Sequence, residues 1–263
     1  MIKALFTGAA GMKAQQLVVD NTANNLANVN TTGFKRSQVD FQDLLYVTKR
    51  SAGTEAAQGL QIPTGLQIGS GVRPAANTKV FSEGVLENTD NKLDVAIEGE
   101  GFLQITVPSG ETRYTRDGAL RLNSTGNIVT SEGYLIQPQV TLPQDALSIS
   151  IGTDGTISVI TAGSPSSSTT VGSLTLVRFA NPAGLSSEGG NLYAESAASG
   201  SPTTGTPGQN GFGTLRQGFL ERSNVEVVSE LVSLIMAQRA YEINSRAIRV
   251  GDEMLSTAND ITR

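Results

Sequence analysis

A chain of 263 residues has room for one large domain or two modest ones, and its composition is lean, with 29 glycines, 5% aromatic and 16% charged residues. His, Cys and Trp are all absent, which removes Ser-His-Asp and Cys-His nucleophiles, zinc fingers, structural disulfides and imidazole metal sites. Lys and Arg number 19 against 24 Asp and Glu, a net charge of -5, the wrong sign for a protein that must neutralise phosphates, so nucleic acid is not an expected partner.

The first residues, MIKALFTGAAGMKAQQ, carry Gly8 and Gly11 and run straight into a longer periodic pattern, unlike a signal peptide. From Ile2 to Val29, Leu5, Met12, Val19 and Leu26 recur every seven residues, with Ile2, Ala9, Gln16 and Ala23 three positions earlier, which predicts a helix with an a/d-like stripe. Gly8 and Gly11 each cost about 1 kcal/mol relative to Ala, so this helix is expected to fray when alone. Asn21, Asn24, Asn25 and Asn28 follow at spacings of three and four, suited to amides that bond across helices or cap an end, or else to an ordinary polar face. Gly33 permits the turn after the helix and Phe34 anchors the departing chain.

The segment from Leu44 to Pro74 is too glycine-interrupted for a helix and too long for an ordinary loop. Leu60 and Ile62, then Leu66 and Ile68 after Pro63, alternate as in an extended arm or hairpin, the alternative being a mobile surface loop. Between Asn91 and Phe179 the runs LDVAI, FLQITV, ALRL, NIVT, YLIQ, LSISI, TISVI and SLTLVRF read as strands. Pro108-Ser109-Gly110, Asp117-Gly118, Ser124-Thr125-Gly126, Glu132-Gly133 and Asp154-Gly155 read as turns between them, so this region is antiparallel and hairpin-rich. Two polar tracts, beginning at Thr161 and Ser196, read as exposed loops or a linker, too polar to sit in hydrocarbon. Gly99-Glu100-Gly101 lacks the rest of a dinucleotide fingerprint. Asp94, Glu98, Glu100, Asp117 and Asp154 offer the paired carboxylates that a glycan-binding or glycoside-hydrolase module would need, but most sit beside Gly in apparent turns, where solvated carboxylates are usual.

At the far end Val227, Leu234, Tyr241, Ile248 and Leu255 again recur every seven residues, flanked by Ala240, Ala247, Met254 and Ile261. Ser223 with Glu226 fits a capping box, which predicts a helix over about Asn224–Asn259, roughly 54 Å at 1.5 Å per residue. Two amphipathic end helices can pair and still leave surface for neighbouring copies, so Leu5, Met12, Val19, Leu26, Val227, Leu234, Tyr241, Ile248 and Leu255 are the candidate self-assembly seam. The expected fold is α+β: residues 1–30 and 224–263 paired as a coiled-coil-like core domain, 31–92 and 210–223 connecting and carrying the arm at 44–74, and 93–209 forming a β-rich outer domain.

NTANNLANVNTTGFKR, residues 21–36, resembles the amino-terminal signature of bacterial flagellar rod and hook proteins, through Asn21, Asn24, Asn25, Leu26, Asn28, Gly33, Phe34 and Lys35. FLERSNVEVVSELVSLIMAQRAYEINSRAIRVGDEML, residues 219–255, is similar to their shared carboxy-terminal helix, and GEGFLQI with RYTRDGALRLNSTGNIVTSEGYLI to their central β domain. Within the family, the LLY start and IPTGLQIGSGVRP end of the long segment resemble the distal-rod members, with a proximal-rod or hook subunit as the alternative. The last residues, TANDITR, are more polar than the family's usual ending.

The resemblance implies a structural subunit without catalytic, cofactor or metal site. It would be exported through the flagellar type III apparatus without a cleaved signal peptide, and would polymerise helically across the periplasm into a hollow shaft that carries torque to the hook and lets exported subunits pass. Its partners would be copies of itself, other rod proteins, the hook protein and the surrounding basal-body rings, with no insertion into a membrane. The terminal helices would line the inner tube, the β domain would form the outer wall, and the arm with Leu60, Ile62, Pro63, Leu66 and Ile68 would meet adjacent subunits.

Overall fold

The seven-residue repeats at the two ends of the chain fold as helices, α1 (Ile2–Ala27) and α2 (Val227–Ile261), and the alternating middle folds as short strands, giving an α+β protein. The structure, a computed structural model, describes residues 2–53, 55–57, 60–61, 63–163 and 167–261. The chain divides into a helical unit, Met1–Leu26, Ser37–Thr78 and Glu226–Arg263, and a β-rich unit, Ala27–Arg36 and Lys79–Val225.

In the helical unit α2 begins three residues later than the spacing of Ser223 and Glu226 predicts. The Ser223 hydroxyl accepts from the nearby Val225 amide at 3.3 Å, a local turn, and the helical ladder opens with the Glu230 amide donating to the Glu226 carbonyl at 3.0 Å. Ser223 and Glu226 therefore do not cap this helix as a box.

The long segment pairs with itself. Ser37–Asp43 lies against Val72–Lys79, Val47–Arg50 runs antiparallel to Leu66–Ile68, and Glu55–Ala57 antiparallel to Leu60–Gln61. Partners nested in this way make a hairpin ribbon. Leu66 and Ile68 are exposed on it, Pro63 is exposed in a bend, Leu60 contributes backbone to a strand, and Ile62 lies outside the described residues.

The centre of the β-rich unit is the strand Phe102–Thr106. Thr112–Thr115 pairs with one edge, while Leu135–Gln137 and Leu176–Arg178 share the other. Successive side chains of a strand point to opposite faces. Leu103 and Ile105 accordingly enter a large aliphatic core with Leu176, Ile157 and Val95, whereas Phe102 enters a second cluster of Tyr114, Val177, Phe179, Leu185 and Tyr193. A three-stranded sheet, Ala146–Ile151, Thr156–Thr161 and Thr169–Ser173, adds Ile151, Ile157 and Val159 to the first core. Gly118 has no room for a side chain: a β-carbon there would lie 1.7 Å from the Val95 carbonyl oxygen.

Two strand readings need correction. SLTLVRF is divided between Thr169–Ser173 and Leu176–Arg178, because the Leu174 amide turns aside to the Gly155 carbonyl at 2.8 Å. The tract from Ser196 is exposed over most of its length but is more than a linker: Ser199 is fully buried, and Thr203–Gly205 forms a strand against Leu176–Arg178. In the tract from Thr161, residues 164–166 lie outside the described residues.

Candidate functional site

Within the helical unit, small residues decide where α1 and α2 touch. A β-carbon on Gly8 would lie 3.0 Å from Ile248 Cγ1, one on Gly11 3.0 Å from Asn244 Nδ2, and one on Gly251 2.9 Å from Leu5 Cδ2. Farther along, Asn25 Nδ2 donates to Glu230 Oε2 at 3.3 Å. Ascending positions on α1 thus meet descending positions on α2, an antiparallel pair. The glycines that weaken α1 as an isolated helix are the places where side chains of α2 come close.

Among the described residues of the helices, Ala14, Thr22 and Asn25 on α1 and Glu230 and Ala237 on α2 are buried. Of the seam residues, Leu5 and Ile248 sit at contact points, while Met12, Val19, Leu26, Leu234 and Leu255 are also half-buried. Val227 and Tyr241 are exposed. The row most sheltered within one chain is therefore turned from the apolar heptads toward small and polar residues, among them Gly8, Gly11, Asn25, Glu230 and Asn244. A search for apolar repeats passes over such residues.

The outward side of α2 is apolar as well. Val228 is 70% exposed, Met236 65% and Ile243 64%, and Leu231, Val232, Ile235, Val250 and Met254 join them. Val228, Val232, Ile235, Ile243, Val250 and Met254 follow helical spacing along one side, which they share with exposed Arg239 and Arg246. Exposed large apolar groups gathered on one side of a helix are the kind of surface on which proteins meet one another.

The asparagine signature divides between two tasks. Asn21 Nδ2 and Asn25 Nδ2 donate to the Ser37 carbonyl at 2.7 and 2.9 Å, and Asn25 Oδ1 accepts from the Ser37 amide at 2.9 Å, tying α1 to the first strand of the ribbon. Asn28 Oδ1 accepts from the Thr31 hydroxyl at 3.1 Å in the turn after the helix, and Asn24 is exposed. Gly33 takes φ +67°, where a β-carbon would strike the Arg116 carbonyl carbon at 2.8 Å, and its amide donates to the Glu221 carbonyl at 2.8 Å. Phe34 is buried beneath the Lys79 ammonium, 4.9 Å from the ring centre.

Lys35 leads to a feature that no spacing announces. It is completely buried in the β-rich unit, together with Glu221 at 2% and Arg116 at 5% exposure. Lys35 Nζ donates to Glu221 Oε1 and, at 2.6 Å, to the Ser82 carbonyl. Arg116 Nε donates to Glu221 Oε2 at 3.0 Å, and its Nη1 to the Gly99 and Gly101 carbonyls at 2.8 and 2.7 Å. The Gly84 amide completes the set with a 2.9 Å bond to Glu221 Oε1. Burial pushes the Glu221 carboxyl up, but Arg116 and Lys35 outweigh it and hold the group below the ordinary carboxylate value. Burial, aided by Arg116 and opposed by Glu221, leaves the Lys35 ammonium below the ordinary lysine value.

The carboxylates that suggest glycan chemistry have local work. Buried Asp94 accepts from Thr89, Asn91 and Arg121, and Asp117 from the Thr32 hydroxyl and the Ala119 amide. Glu100 pairs with Arg178, Asp154 holds the Thr156 amide and hydroxyl in its turn, and Glu98 is exposed. Among the described residues no cluster of three or more carboxylates is placed to hold a metal ion, and no described helix is long and apolar enough to cross a membrane.

Residues 5–35 match the family model for flagella basal body rod proteins, 96–159 that for the flagellar hook protein FlgE/F/G D1 domain, and 216–261 that for the flagellar basal body rod FlgEFG protein C-terminal region. The flagellar basal-body rod protein FlgG of Borreliella burgdorferi is 46% identical, over the full length of both chains. That of Caulobacter vibrioides is 47% identical over 99% of each. The flagellar hook protein FlgE of Helicobacter mustelae is 44% identical over 52% of this chain and 30% of its own.

Proposed function

The chain belongs to the FlgG family of flagellar basal-body rod proteins, and on that premise we propose that this structural subunit of the distal rod polymerises through both terminal helices into a hollow drive shaft. The observation that carries the reading is the apolar outward row of α2, which remains exposed although α1 already occupies another side of the same helix. Burying a Val, Ile or Met from that row against a neighbouring copy contributes about 1.5–3 kcal/mol per side chain before ordering costs, so a few such contacts suffice to hold subunits together.

In this reading the paired helices form a coiled-coil-like core lining the tube, and the β-rich region forms its outer wall. The arm, the ribbon formed by residues 44–74, reaches adjacent subunits through exposed apolar groups such as Leu45, Tyr46, Leu66 and Ile68. The shaft meets other rod proteins, the hook and the basal-body rings, and is built in the periplasm from chains delivered by the flagellar type III apparatus. Absence of Cys suits a chain that must not be trapped by an early disulfide. The weak helix propensity of α1 suits one that threads unfolded and orders on docking. A proximal-rod or hook role is the competing assignment. Similarity over the full length of rod relatives, against half-chain similarity to the hook protein, favours the distal rod.

Electron microscopy of purified protein at rising concentration, beside a version lacking both terminal helices, tests the proposal. Hollow tubes from the full chain and dispersed particles from the truncated one are expected. Tubes from the truncated protein would overturn the helical seam. Deleting residues 46–63 tests the arm: the expected filaments bend more easily, and filaments of unchanged stiffness would remove it from the lattice.

A further inference from the structure

The Lys35–Glu221–Arg116 cluster has a chemistry that rod formation does not require. Two buried cations share one carboxylate, and every remaining contact to them given above is a neutral backbone carbonyl. Without that carboxylate, Lys35 and Arg116 would be two like charges in a poorly solvated space, so burying them would oppose closure. The anion is also the member that comes last. Glu221 lies 186 residues beyond Lys35 and 105 beyond Arg116.

Around the cluster, the places where the β-rich unit is joined in sequence to the rest of the chain are tied to one another. The Arg36 amide donates to Asn224 Oδ1 at 2.8 Å, the Val80 amide to the Arg36 carbonyl at 2.9 Å, and Asn224 Nδ2 to the Val80 carbonyl at 2.8 Å. The Gly33 amide reaches the Glu221 carbonyl, and the Gly84 amide its carboxylate. The residues joined by these bonds belong to neither the aliphatic nor the aromatic core, and Phe81 of residues 79–84 touches the aromatic cluster from its side, 5.4 Å from the rings of Phe102 and Tyr193.

We propose that Glu221 is a latch: residues 27–36, 79–84 and 218–225 close onto one another only when its carboxylate seats between Lys35 and Arg116, in a step separate from formation of the β core. A chain lacking residue 221, or a full chain in which that carboxylate is neutralised, keeps this region open around a formed core. The charged and titratable groups facing the latch are Lys35 and Arg116, with Tyr193, on which Arg116 and Glu221 both act, Glu83, which acts on Lys35, and Asp117, which accepts from the Thr32 hydroxyl. Apart from Glu221, the carboxylates among them are Glu83, which is exposed, and Asp117, which is half-buried. Burial, opposed by Arg116 and aided by Glu221, holds Tyr193 above the ordinary tyrosine value, so it stays neutral in acid. Opening that acid causes through Glu221 is absent from K35M/R116M/E221L, whereas opening through Asp117 and its bond to Thr32 persists there.

Amide hydrogen exchange on the full-length protein tests this. Glu221→Gln keeps the shape and a hydrogen-bonding oxygen but leaves both cations unpaired; exchange at Gly33 and Gly84 is expected to accelerate about 100-fold or more. Amides of residues 102–106 should stay within about threefold of wild type, because the core opens in a different unit of cooperativity. The triple variant K35M/R116M/E221L, which removes every charge of the cluster, is expected to restore slow exchange at Gly33, whose acceptor is the backbone carbonyl of residue 221; Gly84, whose acceptor is the removed carboxylate, is read only in E221Q. Unchanged exchange at these two glycines in E221Q, equal acceleration there and in the core, or a triple variant as open as E221Q at Gly33 would each overturn the latch. If E221Q does not fold, wild-type protein taken below the ordinary carboxylate pKa serves instead: selective opening at Gly33 and Gly84 supports the latch, and uniform opening refutes it.

Discussion

The β-rich unit and the helical unit treat their apolar residues in opposite ways. The first hides them: Val95, Leu103, Ile105, Ile157, Leu176 and Leu215 have almost no exposure, and the central strand is covered on both faces. The second displays them, along α2 and on the ribbon. The strength of the β-rich unit therefore lies within one chain, while in the proposed polymer a large part of the helical unit's would be realised only when neighbouring copies cover it. A subunit that must persist alone and then join a polymer needs both.

Charge in the seam is the most severe way to test this contrast. Leu234→Asp and Ile248→Asp are expected to abolish tube formation, since a carboxylate buried there without a partner costs several kcal/mol. The urea midpoint of the β-rich unit, followed by near-ultraviolet circular dichroism of its tyrosines, should not move. Ile105→Ala reverses the pattern, taking about 2–5 kcal/mol from the β-rich unit in the same titration through loss of packing and the cavity left behind. Asn25→Ala removes the two-way pairing with Ser37 and the bond to Glu230, and should lower the thermal stability of the helical unit by about 1–3 kcal/mol.

Acid sharpens the comparison differently. The folded pKa of Glu221 lies below its unfolded value, so the native state binds fewer protons between the two. The stabilisation Glu221 supplies is then complete above the ordinary carboxylate pKa and lost as pH falls through the lower folded value. A urea series at descending pH should show it in wild type and not in K35M/R116M/E221L. The smallest effect is expected from Ile243→Ala, which should alter monomer unfolding by less than about 0.5 kcal/mol while raising the concentration needed for tubes. Equal damage to monomer and polymer would erase the contrast between the units.

The sequence makes these two regions legible to different degrees. Both helices announce themselves through seven-residue repeats, and strands such as Phe102–Thr106 through β-rich runs closed by glycine turns. Both signals are local, which is why one chain suffices to find them. The faces of the helices are less legible, because the sheltered row is built from Gly8, Gly11, Asn25, Glu230 and Asn244, chosen for size and hydrogen bonding rather than hydrophobicity. The strand Thr203–Gly205 hides in a polar tract because its pairing with Leu176–Arg178 is made by backbone groups. The ionic cluster is invisible to any spacing rule. Lys35 stands out only through the flagellar signature, and Arg116 and Glu221 become meaningful only when the fold brings them to it.

The glycines of the helix pair have a mechanical side. Ile248 sits against Gly8 and Leu5 against Gly251, and each seat is a notch one residue wide. Sliding one way by a turn, about 5.4 Å, would set Ile248 against Met12 and Leu5 against Leu255, whereas sliding the other way would set them against the smaller Ala4 and Ala247. The pair is thus keyed like a ratchet, more strongly against slip in one direction than in the other, by steric shape, which neither salt nor pH can screen.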